Sequence, residues 1–393
     1  MSGRRAIIIA ARRTAIGKLG GLHRNRPIEK LAAPLIPAVL SDAGLDLDAI
    51  DEVIIGNAAG GGGNPARLIA LAACMPDAVP AVTLDRQCAS GLDAIVMAAR
   101  QIETGAAHAI VAGGAESPST APWRIAKPPN PYTQLPQFFA QAMFAPGSAG
   151  HPNMIEAAEN VARQFGISRE RQDAFALESH RRAMNAKAQG HTEAEIVPLD
   201  SAETDHRDES PRAGLQPGLL ARMKPLAAPD GSVTAGNSCQ INDGAALTVV
   251  VSDELHRRFG SPPELVFAGA ASAGVDPRIL GIAAISAFER LRNQAGIAAT
   301  DLDAIELNEA FAAQVLATID LLGLQSSAIN NLGGALAYGH PYGASGAIMV
   351  VRLFTRLVRN NTGSASQRGV AMIAAAGGVG TAALFHNLSA SLK

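Results

Sequence analysis

The sequence predicts an α/β protein built from two copies of one layered unit, separated by a long charged region. Apolar runs of strand length, "RAIIIAA" (5–11), "EVIIGNA" (52–58), "AIVAGGA" (109–115), "LTVVV" (247–251), "DAIEL" (303–307) and "VAMIAAA" (370–376), alternate with segments of helical periodicity. That order suits mostly buried sheets with helices on their faces. The two ends also repeat each other: "LDLDAID" (45–51) matches "TDLDAIE" (300–306) and "CASG" (88–91) matches "GASG" (343–346), both at an offset of 255 residues. A third parallel, "AIVAGG" (109–114) with "IAAAGG" (373–378), has an offset of 264, a small length change between copies. Finally, 39 glycines and only 4% aromatic residues favour helices packed closely on sheets over a β-sandwich.

At 393 residues and 48% hydrophobic content the chain can bury large cores. A net charge of −2 gives no electrostatic reason to expect nucleic acid or an anionic membrane as partner. Three cysteines without a CxxC pair argue against a disulfide framework or zinc cluster and fit a reducing, cytoplasmic setting; no metal site is expected. No stretch approaches the roughly 20 apolar residues of a membrane span. The start has too short an apolar run for a secretory signal, and the final "SLK" is not the peroxisomal address.

Between Ser117 and about Gly236 the character changes. A Pro-rich stretch holding Trp123, the only tryptophan, gives way to "MIEAAENVARQFG" and "SRERQDAFALESHRRAMNAKAQG". These predict amphipathic helices, each closed by glycine and the second opened by Ser168 as N-cap. The region reads as an insertion or lid-like domain.

Three places carry candidate chemistry. After Cys88, Leu92, Ile95, Val96, Ala99 and Ile102 have the spacing of a helix packed on a sheet, closed by Gly105. Cys88 therefore sits at or just before a helix N-terminus, where unpaired N–H groups and the macrodipole favour the nucleophilic thiolate; the alternative is a packed thiol, the reading given to Cys74. In "NNLGGALAYGHPYGASG", His340 occupies a Gly-rich turn that is the second copy's counterpart of the Cys88 segment, so the repeat would turn it to the same interface; the alternative is a turn histidine bonded to backbone. In "ELNEAFAAQ", Asn308 and Glu309 end a strand before a helix opened by Phe311. An amide there can hold a water or donate to a developing oxyanion, or simply cap the helix.

"DRQCASG", "NEAFAAQ", "GGALAYGHPYGASG", "VTAGNSCQINDGAA" and the late glycine segment, in this order and over nearly the whole chain, resemble the thiolase family. The resemblance implies a duplicated αβαβα five-layer fold with an inserted loop domain. It places the first half at 1–117, completed by about 240–265, the loop domain at 118–239 and the second half at 266–393. It also implies acyl transfer through a Cys88 thioester, with Claisen condensation or thiolytic cleavage of 3-ketoacyl-CoA. His340 and Asn308 would form one oxyanion hole, and the backbone N–H groups of Cys88 and Ala376 the other. Met154, Arg212, Ala235, Cys239 and Phe311 would border coenzyme A. Acyl-CoA would be the substrate, with no permanently bound cofactor, in a homodimer or homotetramer of acyl-CoA and fatty acid metabolism. Arg207, Arg212, Arg222 and Lys224 are a second reason to expect phosphate, unless they form a solvated charged face.

One departure bears on mechanism. Ala374 stands where the family has its second catalytic cysteine, and Ala376 at the first glycine of that motif. Either another group moves the proton (His340, Glu309 or Cys239), or the enzyme is a decarboxylating or specialised condensing one that needs no base, or only acyl transfer or acyl-CoA binding survives. Asn153 and Ala227 replace the usual histidine and phenylalanine near the coenzyme.

Overall fold

The computed structural model describes residues 3–139, 141–199, 207–260, 264–361 and 366–387. Its strands are β1 (Ala6–Arg13), β2 (Gly17–Lys18), β3 (Glu52–Gly56), β4 (Ala81–Leu84), β5 (Ala109–Glu116), β6 (Ile125–Ala126), β7 (Gln137–Phe138), β8 (Asn242–Ser252), β9 (Leu265–Gly274), β10 (Ala304–Leu307), β11 (Gln367–Ala375) and β12 (Val379–Asn387).

The main sheet runs β10-β11-β12-β9-β1-β8-β5-β3-β4. It is two copies of one topology joined edge to edge, where Ile7 and Ile8 of β1 pair with Val266 and Leu265 of β9. In the first copy, β4 and β5 run parallel on either side of β3, and β8 is antiparallel to both β5 and β1. In the second, β10 is parallel to β11 and to a bridge at Ile329, and β12 is antiparallel to β11 and β9. The repeated words of the sequence are thus a repeated strand order.

Alternation along the strands of the main sheet gives its faces three of the cores found among the described residues. Ile110 and Ala112 of β5 and Ala371 and Ile373 of β11 face a central core that includes the helices Ser90–Thr104 and Tyr342–Phe354. Val111 faces an outer core under Leu35–Ala43 and Pro65–Ala72, and Val370 and Met372 face one under Ala283–Ala295. Helix, sheet, helix pair, sheet, helix are the five layers.

The two central helices cross closely. A Cβ on Gly91 would lie 2.5 Å from the Gly343 carbonyl oxygen, and one on Gly346 would lie 2.5 Å from the Leu92 nitrogen. These glycines are equivalent in the repeat, so the shared "SG" is a packing requirement at the crossing.

The middle region contains the small β6–β7 ladder and the helices Met154–Gln164 and Arg169–Ala188. Asn153 and Glu156 form a reciprocal capping box, and Ser168 accepts from the Arg171 N–H. Left-handed Gly166 and Gly190 follow the two helices. Buried Arg13 of β1 holds this region down, its Nε 2.8 Å from Glu195 and its Nη1 2.7 Å from Asp208, while Arg352 of the second central helix lies 3.3 Å from Glu195. No helix among the described residues is long and apolar enough to cross a membrane.

A branched side chain at the crossing forces the helices apart, and overpacking of this kind costs about 1–3 kcal/mol. Gly346→Val should lower the thermal midpoint by several degrees, whereas Gly214→Ala, where a Cβ meets nothing within 4 Å, should leave it unchanged in the same melting experiment.

Candidate active site

The two central helices begin with equivalent turns. Gln87, before Cys88, has a left-handed φ of 51°, and its counterpart Tyr342, before Gly343, has a φ of 22°. Each turn is held by its own serine. Ser90 Oγ accepts from the Arg86 N–H at 2.8 Å and donates to the Gln87 carbonyl at 2.6 Å, and Ser345 Oγ pairs with His340 Nδ1 at 2.6 Å. One repeat thus presents a thiol and the other a histidine.

Cys88 is half-buried, and the backbone N–H groups of Ala376 and of Cys88 itself favour its thiolate. The expectation that the helix terminus favours thiolate is overturned. The helix starts only at Ser90, and burial, reinforced by the negative charge of Glu116, outweighs both N–H donors and pushes the thiol up to about 12. Cys74, taken as a packed thiol, is instead exposed, in a left-handed conformation with φ 57°.

His340 is buried, which lowers it to about 4, so the imidazole is neutral at pH 7. Its backbone N–H lies 3.1 Å from the Gln240 carbonyl. Asn308 is buried at the end of β10, its N–H bonded to Met372 of β11. His340 Nε2 and Asn308 Nδ2 are both buried without a hydrogen-bond partner among the described residues.

The segment 238–241 is stitched between these loops. Ser238 bridges Phe311, the Cys239 N–H donates to Ala310, and Ile241 bridges His340. Half-buried Cys239 is therefore brought between the Asn308 and His340 loops, close enough that the Cys88 charge raises its thiol, after burial. Glu309 is placed differently. Its carboxylate accepts from Ser179 Oγ (2.6 Å), Asn330 Nδ2 (2.8 Å) and the Leu336 N–H (3.1 Å), the pattern of a buried structural clamp. Ala374 faces the outer core with Met372. Ala376 opens the β11–β12 turn, and the left-handed positions that follow belong to Gly377 and Gly378.

Met154 is the first residue of its helix, while Arg212, Ala235, Arg207, Arg222 and Lys224 are exposed. The backbone N–H of Arg212 donates to His180 Nδ1, and His180 is lowered to about 4 by burial and the Arg212 charge.

Two residues near the nucleophile escape sequence reasoning. Glu116, 1% exposed, accepts from the N–H groups of Ala58 (2.9 Å), Ala59 (3.0 Å) and Gly343 (2.9 Å) and from Asn57 Nδ2 (2.6 Å), tying the end of β5 to the His340 turn. Burial raises it to about 7. Tyr342 stacks edge-on against His340, with ring centroids 5.5 Å apart. The repeat pairing with Gln87 was the available signal for Tyr342.

Comparison with known proteins identifies the family. Residues 6–254 match the thiolase N-terminal domain and residues 262–387 the thiolase C-terminal domain. A putative acetyl-CoA C-acetyltransferase VraB of Staphylococcus haemolyticus is 43% identical over 97% of this chain and 98% of its own length; one from Staphylococcus aureus strain MRSA252 is 40% identical over the same shares. The crystal structure of the Bacillus anthracis acetyl-CoA acetyltransferase superposes with a TM-score of 0.90 at 34% identity, covering 98% of this chain and 99% of that one. With both halves matched and the fold shared, the chain belongs to the thiolase family of acyltransferases.

Proposed function

We propose that this protein is an acyl-CoA C-acyltransferase in which Cys88 carries the acyl group as a thioester, and that its reaction is thiolytic cleavage or formation of 3-ketoacyl-CoA. The observation that carries the reading is the pair of buried, unpartnered nitrogens, His340 Nε2 and Asn308 Nδ2, in loops joined through the segment that bears Cys239. Buried polar groups take partners, and a thioester oxygen that gains negative charge, directly or through a water, is the partner such donors stabilise. If the Ser345 hydroxyl donates to His340 Nδ1, the ring proton is left on Nε2, where that role needs it. The two amides at the Cys88 sulfur would serve the acyl-enzyme oxyanion, each donor worth roughly 100- to 1000-fold in rate.

The loop-domain residues Met154, Arg212, Ala235, Cys239 and Phe311 would border coenzyme A. In support, the segment 238–241 runs beside Phe311, and exposed Arg212 is open to phosphate. We take the chain to act in the cytoplasm as a homodimer or homotetramer; the outer edge strand β4 has unpaired backbone that a second copy can extend. Because Ala374 provides no acid/base group, a decarboxylating condensation is the second reading.

Intact mass after incubation with acetyl-CoA should show an acetyl adduct that Cys88→Ser abolishes; a panel of thioesters giving no adduct would leave only acyl-CoA binding. Carbon dioxide released from malonyl-CoA would favour the second reading instead. His340→Ala should lower kcat for thiolysis by about 100-fold or more while the fold persists by circular dichroism. Because the thiol lies near 12, its thiolate fraction rises with pH throughout the accessible range. Alkylation of Cys88 by iodoacetamide should climb about tenfold per pH unit from 7 to 10, and a plateau below pH 8 would contradict burial as the dominant effect.

A further inference from the structure

The missing acid/base cysteine leaves a proton to be moved, and Cys239 is not the only candidate in reach. Tyr342 follows Pro341 immediately after His340 and directly precedes Gly343, whose carbonyl packs against the first turn of the Cys88 helix. Its ring meets the edge of the His340 imidazole. It is only partly buried, and its hydroxyl has no hydrogen-bond partner among the described residues. Cys239, Cys88 and Glu116 each act on the phenol electrostatically. Its backbone is left-handed at φ 22°, costly for a residue with a Cβ. Strain of this kind concentrates at functional sites.

We propose that the Tyr342 hydroxyl is the proton-transfer group of the thiolytic reaction, in place of the cysteine absent at position 374. The inference rests on Cys88 as acyl acceptor. Cys88 gives its thiol proton to solvent, to be regained when the sulfur is released; the thiolate attacks C3 of the 3-ketoacyl-CoA, the C2–C3 bond breaks, and its electron pair becomes the enolate held by His340 and Asn308. The Tyr342 O–H bond breaks, its proton goes to C2, and acetyl-CoA leaves a phenolate behind. The incoming CoA thiol gives its proton to that phenolate. Its sulfur attacks the acyl carbon, and Cys88 departs as thiolate. No electron acceptor or co-reactant is needed beyond the two substrates. Both transfers are downhill, because a phenol is a stronger acid than the carbon at C2 and a phenolate a stronger base than a CoA thiolate. Burial and the surrounding negative charges keep the hydroxyl protonated between turnovers.

Tyr342→Phe removes the hydroxyl and retains the ring against His340. Deuterium uptake into the methyl group of acetyl-CoA in D2O reports the proton step alone, and intact mass reports acylation of Cys88. In Tyr342→Phe the adduct should form as in the native protein while methyl exchange and thiolysis fall about 100-fold or more, the usual worth of general acid/base help. Cys239→Ala, which alters the border of the coenzyme site, should change adduct formation and methyl exchange in parallel, leaving their ratio within a few-fold of native. Methyl exchange retained in Tyr342→Phe but lost in Cys239→Ala would overturn the assignment in favour of the thiol. Adduct and exchange falling together in Tyr342→Phe would also overturn it, since that is how a packing role behaves. An absent adduct in the native protein would instead defeat the acyl-enzyme reading beneath it.

Discussion

The closeness of two helices sets the spacing of everything at this site. Where Ser90–Thr104 crosses Tyr342–Phe354 there is no room for a side chain on Gly91 or Gly346. Each helix is the same element of its copy, so their near contact at the N-terminal ends brings the two preceding turns together. The turn that carries the Cys88 thiol and the turn that follows the His340 imidazole, some 250 residues apart in the chain, are thereby brought together through backbone packing. Glu116 reinforces the arrangement from the first half: its carboxylate takes the N–H of Gly343 in the second half and those of Ala58 and Ala59 in its own. The Arg13, Glu195, Asp208 and Arg352 charges do the same for the middle region, bonding it to both β1 and the second central helix. Buried charges without partners are strongly destabilising, so these pairs fix one docking geometry.

Burial, more than any single charge, determines the electrostatics. Cys88 is raised, His340 lowered and Glu116 raised, and in each case loss of solvent is the largest cause. The candidate site is therefore nearly uncharged in its proposed reacting groups: a protonated thiol, a neutral ring and an amide. Such a site gains most from fixed N–H dipoles, because they are weakly screened when charge develops on a bound thioester. It is also one in which a neutral acid such as a phenol can persist beside two sulfurs.

Much of this could be read in the chain. The repeat was visible as words at a constant offset, and the structure returns it as one strand order used twice. The Cys88 helix, the Ser168 cap and the glycine stops were legible because local chemistry sets them. What could not be read depends on partners far away in sequence. The thiolate expectation for Cys88 used the helix terminus, a local effect, and missed the desolvation of the folded site. Glu309 looked available for acid/base work until Ser179, Asn330 and the Leu336 N–H were seen to occupy it. Cys74 was judged by its apolar neighbours, but a left-handed residue after the Pro65–Ala72 helix turns outward. Tyr342 was passed over because its meaning comes from the turn it shares with Gln87 and from the groups that turn faces.

The two copies have diverged in a way that explains what the late alanines permit. In the first turn the residue after the left-handed position is Cys88, the proposed acyl acceptor. In the second it is Gly343, where a Cβ would meet Glu116 Oε2 at 2.9 Å, so the reactive side chain moved three residues upstream to His340. The family's further cysteine lies outside this pair, on β11, and its loss disturbs neither turn: Ala374 fills outer-core space beside Met372, and Ala376 supplies the same N–H that a glycine would. The exchange therefore leaves the backbone around Cys88 as it is, and on the proposed reading it alters only the route of the proton. The proposed substitutes, Cys239, His340 and Tyr342, come from two loops bridged to each other at Ile241 and His340, and the exchange at 374 touches neither.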